Sequence, residues 1–127
     1  VIRTIDWYLP IRTVSEANRG SEHWTKVRLR KKKQSQWVWA HWKSVNPTVS
    51  LPCKVVLTRI APRSLDKQEN LPMAFKAITD TIADLIIPGK ARGQADSDER
   101  IEWLFKQEKG KPKEYAIRIE IFIEPNQ

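Results

Sequence analysis

Residues 101–123 read IEWLFKQEKGKPKEYAIRIEIFI. In the first part Ile101, Trp103 and Phe105 alternate with Glu102, Leu104 and Lys106. In the second, Ile117, Ile119, Ile121 and Ile123 alternate with Arg118, Glu120 and Phe122. Strand side chains point to opposite faces with a period of two, so each part predicts a strand. The link KGKPK at 109–113 predicts that the two pair as a hairpin. What precedes this strand pair then sets the fold class.

Immediately upstream, Leu71, Ala74, Phe75, Ile78, Ile82 and Leu85 recur at helical spacing. Asn70 suits the N-cap and Pro72 the first turn, so a helix is predicted from Asn70 to just before Pro88-Gly89. A Gly-containing loop, Ala91 to Ala95, leads into Asp96-Ser97-Asp98. Further back, Lys54 to Ile60 (KVVLTRI) is β-branched and largely apolar, which predicts a strand, and Ala61 to Glu69 a loop. From Ser21 to Val45 no helix breaker occurs, and Trp24, Val27, Val38, Trp42 and Val45 fall on one face at 100° per residue. A long helix is expected, ended by Asn46-Pro47. Lys31, Gln34 and Ser35 share its apolar face, which predicts a wet middle section or a surface covered by a lysine stem. Residues 2–9 (IRTIDWYL) read as a first strand ended by Pro10. The order β-α-β-α-β-β predicts an α+β fold: a mixed β-sheet with two helices packed on one face.

The 127 residues allow one compact domain spanning 1–127. With 40% hydrophobic residues and six Trp the chain can form a core, which excludes disordered and collagen-like classes. The single cysteine, Cys53, can make neither an internal disulfide nor a zinc motif, which suits a reducing compartment, and its apolar neighbours predict burial. No apolar run nears the ~18 residues of a membrane span and Val1 to Thr4 lacks signal-peptide grammar, so a cytoplasmic protein without a membrane partner is expected. His23 and His41 have no second His at ligand spacing and receive no role.

The formal charge of +8 is unevenly distributed. Residues 1–63 hold 13 Lys/Arg and 3 Asp/Glu, whereas residues 64–127 hold 10 and 12. Cationic surface suits phosphates and carboxylates suit a divalent cation, so the division points to phosphate binding or phosphate chemistry. Asp66 and Glu69 precede the second helix, and Asp96 and Asp98 follow it. If 96–98 is extended, the last two project to the same side. Such a group can seat Mg²⁺, although acidic loops also cap helices and solvate turns. Lys76 with Asp80 at i+4 is either an exposed helix pair or a lysine near a reacting phosphate. In the basic run RLRKKK at 28–33, Lys26, Arg30 and Lys33 form one helical stripe and Arg28 and Lys32 another. Either is a solvated face or a phosphate contact. Trp37 and Trp39 fall off the apolar stripe, where they pack on another subunit, fill a separate core or stack on bases.

The string LDKQENLPMAFK at 65–76, followed by Asp80 and by DSDERIEW at 96–103, resembles the RusA-like family of Holliday-junction resolvases. The similarity extends over nearly the whole chain, including the segment Pro10 to Asn18 and the basic first helix. The resemblance implies a homodimeric, Mg²⁺-dependent endodeoxyribonuclease, with Mn²⁺ as an alternative ion, acting on branched or duplex DNA and on no small-molecule substrate. On this basis Asp66, Glu69, Asp96 and Asp98 are the expected metal ligands. Asp66, Glu69, Asp98 and Lys76 are the expected catalytic residues, and Lys26, Arg28, Arg30, Lys32 and Lys33 the expected DNA contacts. The family carries aspartates three residues and one residue before its Asn-Leu pair, where this chain has Lys67 and Glu69. A family lysine falls at Met73, which leaves Lys76 as its replacement. These departures leave two alternatives: a nuclease with shifted ligands, or a DNA-binding relative with weak or no activity.

Overall fold

The computed structural model describes residues 1–16, 22–65, 70–90 and 94–125. The elements are β1 (Ile2–Leu9), α1 (Trp24–Val45), β2 (Cys53–Ala61), α2 (Leu71–Ala74), α3 (Lys76–Ile86), one 3-10 turn (Ala95–Ser97), β3 (Ile101–Lys109) and β4 (Ala116–Ile123). The strands form one sheet in the order β1-β4-β2-β3, with β4 antiparallel to both neighbours and β2 parallel to β3. This is the α+β class and element order expected, with the second helix divided in two.

β2 decides the strand order. Val55 to Ala61 are all buried, so both faces of this strand are covered and it belongs at the sheet centre. The predicted β3–β4 hairpin does not form, because β2 lies between the two strands. Their link, residues 110–115, passes the end of β2, where Gly110 N–H donates to the Ala61 carbonyl at 2.8 Å. That link is longer than the two to five residues of most hairpin loops. A Cβ on Gly110 would meet Glu114 Oε1 at 2.8 Å and Ile60 Cγ2 at 3.0 Å, so a larger residue there would have to displace the Glu114 carboxylate and press on Ile60.

One sheet face and both longer helices enclose the core. Ile5 and Leu9 of β1, Ile117, Ile119 and Ile121 of β4, Val55 and Leu57 of β2 and Ile101 of β3 meet Val38 and Trp42 of α1 and Ile78 and Ile82 of α3. On the opposite face, Arg118 pairs with Asp6 (2.8 Å) and Arg3 with Glu120 (3.0 Å). Cys53 is buried, and burial pushes its thiol up to about 11, which leaves it unreactive. Among the described residues no helix is long and apolar enough to cross a membrane.

In the polar middle of α1, expected to be wet or covered by a lysine stem, Gln34 is buried and hydrogen-bonded, whereas Lys31 and Ser35 are only partly covered. Gln34 is buried and its amide donates to the Arg12 carbonyl at 2.9 Å, while Ser35 Oγ reaches the Ala77 carbonyl at 3.4 Å. These bonds tie α1 to the segment after β1 and to α3. Replacing Gln34 by Ala leaves the Arg12 carbonyl without its donor, and should cost about 1–3 kcal/mol. The check is a lower urea midpoint at unchanged slope. Trp24 and Val45, expected on the core face, are exposed, because α1 buries only Gln34, Val38 and Trp42 and extends past the core at both ends. Between α2 and α3 the backbone breaks at Phe75, whose buried ring stacks on Phe105 at 5.8 Å. The break makes Lys76 the first residue of α3. Asn70 precedes α2 as predicted, but its side chain makes no capping hydrogen bond.

Candidate functional site

At the start of α3, Lys76 Nζ donates to Asp96 Oδ2 at 2.7 Å and lies 3.0 Å from Asp80 Oδ1. Helical spacing supplies the Asp80 contact, one turn along. Asp96 comes from the 3-10 turn, which is anchored by buried Ala95 and by the Trp103 indole N–H donating to the Asp96 carbonyl at 3.1 Å. Two carboxylates and one ammonium therefore share a site built from α3, the turn and β3. Burial pushes the Asp80 carboxyl above its ordinary range, Lys76 opposes the shift, and neighbouring Asp96 adds to it. Asp96 and then Asp80 raise Lys76, so its charge is secure. Sequence reasoning weighed Asp80 only as a helix partner of Lys76 and could not see that Asp96 closes the group.

Asp96 and Asp98 do not act as the expected side-by-side pair. Residues 95–97 form a 3-10 turn, not an extended segment, and the two carboxylates go to different cations. Asp98 accepts from the Arg100 backbone N–H and Nε at 3.0 Å each, from Arg100 Nη2 at 2.9 Å, and from Lys90 Nζ at 3.0 Å. Arg100 chiefly, with Lys90, holds this carboxyl well below its ordinary range. Since the unfolded group titrates near 3.8, Asp98 contributes stability that is present above about pH 4 and is lost as pH falls through its folded value. Unfolding midpoints in an acid series should fall more steeply for the wild type than for Asp98→Asn. Parallel curves would assign the clamp no role.

Asp66, Lys67 and Glu69 lie outside the described residues. The loop's start is fixed to β3, because Gln107 Oε1 accepts from the Leu65 N–H at 2.8 Å. Among the described residues no three His, Cys, Asp or Glu side chains gather as a metal site.

A groove of about 1260 Å³ runs between α1 and α3. Arg28 and Lys32 line it with Trp24, Lys31, Trp39 and Lys43 on the α1 wall, and Lys76, Asp80 and Asp84 line the α3 wall. Lys26 and Lys33 are exposed and do not line it. Arg30 is engaged within the chain: its guanidinium is forked between Glu16 and Glu22, with Nε to Glu16 at 3.0 Å and Nη1 to Glu22 at 3.0 Å, besides a closer Nη2 contact to Glu16. Its charge is thus neutralised inside the protein. Trp24, Lys31 and Lys43 were not foreseen as one surface, although the i, i+4 series 24, 28, 32 and the series 31, 35, 39, 43 carry the signal. No protein-family model matches the chain, and no curated protein matches it.

Proposed function

We propose that the chain is a RusA-like, structure-selective endodeoxyribonuclease that resolves Holliday junctions or other branched DNA by paired phosphodiester hydrolysis. The observation that carries this reading is the convergence of Lys76, Asp80 and Asp96 beside a groove whose other wall is cationic. Lys76, half-exposed in the shared site, is placed to leave its carboxylates and meet a phosphate, stabilising charge as it develops. Asp80 and Asp96 hold the ammonium in that position until DNA arrives. The exposed cations of α1 would hold the arms, and a homodimer would present two sites to two strands.

The donor chemistry fits Mg²⁺, which commonly takes one or two carboxylates with waters and substrate phosphates. Asp96 and Asp80 would supply such oxygens, and the family resemblance adds Asp66 and Glu69; Asp98 would join them only by giving up Arg100 and Lys90. When bound, the ion supplies an activated water and offsets charge on the scissile phosphate. The test is cleavage of branched and linear DNA with Mg²⁺ or Mn²⁺. Branched DNA should be cut in preference to linear duplex, and absence of any cut product at high protein concentration would remove the catalytic reading.

A second reading, a DNA-binding relative without activity, is favoured by Asp98, whose two oxygens are both taken by cations. It predicts binding that weakens with salt and is indifferent to EDTA. Binding that needs a divalent ion would count against it.

A further inference from the structure

We infer that the groove between α1 and α3 holds an unpaired DNA strand, with bases stacked on Trp24 and Trp39 and phosphates on Arg28, Lys31, Lys32 and Lys43. This rests on the DNA reading above but not on catalysis. Both indoles are exposed, Trp24 at 64% and Trp39 at 54%, and line a concave surface; the His23 ring stacks on Trp24 at 5.6 Å, so a base would reach that indole in exchange for the imidazole, whereas no ring stacks on Trp39 among the described residues. Each also has a cation over it: Arg28 at 5.7 Å from the Trp24 ring and Lys43 at 5.8 Å from Trp39. An aromatic face beside a cation is the unit that binds single strands, the ring meeting a base and the charge its phosphate. A duplex keeps its base faces inside its own stack, so indoles select the unpaired form.

Charge and length agree with this occupant. Among the described residues none of the four cations is in an ion pair; of the acids lining the groove, Asp80 is engaged by Lys76 and Glu22 by Arg30, which leaves Asp84 as the carboxylate a strand would have to pass. Trp24 and Trp39 are 15 positions apart on one helix, about 22 Å at 1.5 Å per residue. That accommodates about six nucleotides at the duplex rise of 3.4 Å per strand, and fewer when the strand is extended. The strand would run past Lys76, which brings the unpaired part of a branch to the acidic cluster.

The experiment uses the full chain in EDTA, where cleavage plays no part, and measures anisotropy of labelled oligo-dT and of a labelled linear duplex. Trp24→Ala and Trp39→Ala should each weaken oligo-dT binding by roughly tenfold, leave duplex binding within twofold, and be rescued by Trp→Phe at the same positions. Equal losses for both DNAs, or no loss for either, overturn the inference. So does a wild-type dimer that the Ala variants convert to monomer with oligo-dT binding intact, since the groove would then be a self-association face. Junction cleavage is scored separately: stacking without cleavage keeps this inference and removes the nuclease, and cleavage with insensitive tryptophans does the reverse.

Discussion

Lys76→Ala should reduce cleavage of branched DNA by about 10²–10³-fold, the usual effect of removing one preorganised charge from a reacting centre. Junction binding should change little, because Lys76 is one cation beside the larger set on α1. The geometry predicts a second effect that a merely structural lysine would not have. Lys76 Nζ bridges the Asp80 and Asp96 carboxylates, at 3.0 Å and 2.7 Å. Burial and Asp96 already push Asp80 upward, and Lys76 is the group that opposes them. Without it, Asp80 should retain its proton to higher pH. The residual activity of the variant should therefore have its acidic limb displaced toward alkaline pH relative to the wild type. An unshifted profile with equally low activity would leave Lys76 important but would deny that it governs these two acids.

Arg30→Ala should destabilise the fold by about 2–4 kcal/mol, somewhat below the ~3–5 kcal/mol of a fully buried pair broken on one side because the guanidinium is partly exposed. Glu16 is only 6% exposed and Arg30 18%, so the variant would leave a covered Glu16 carboxyl without the cation that engages it among the described residues. The guanidinium bonds both carboxylates in a fork, geometry that lysine lacks, so Arg30→Lys should recover only part of the loss. Urea unfolding measures the effect, and a cost below about 1 kcal/mol would place the network among ordinary surface pairs. DNA binding per folded molecule should be nearly unchanged in either variant. That expectation separates Arg30 from Arg28 and Lys32, its neighbours in the same basic run.

Where the sequence was legible, one element sufficed to read the pattern. Alternation located β3 and β4, β-branched and aromatic content located β1, and the β-branched run located β2 to within a residue or so. Partners were harder. Alternation reports which face of a strand is covered, not which strand lies beside it, and the Lys-rich link after β3 looked like a turn. The apolar run Val55-Val56-Leu57 held the answer, since a strand buried on both faces takes neighbours on both edges, and β3 and β4 are those neighbours. The site was legible to a similar degree. Lys76 and Asp96 were picked out singly, yet their union depends on a 3-10 turn and a Trp103 hydrogen bond that no spacing rule encodes. The ion pairs of Arg30 were hidden for the same reason. Its stripe on the helix wheel was correct, but Glu16 and Glu22 come from the chain before the helix.

The central claim is that the Lys76, Asp80 and Asp96 cluster is a centre of phosphodiester hydrolysis fed by a cationic groove. A four-way junction incubated with excess protein, in Mg²⁺ and in EDTA, tests it in a single gel. Paired nicks in two strands with Mg²⁺, none with EDTA, and none from Lys76→Ala over the same interval are predicted. A junction that is fully bound by the wild type in Mg²⁺ and remains uncut would contradict it.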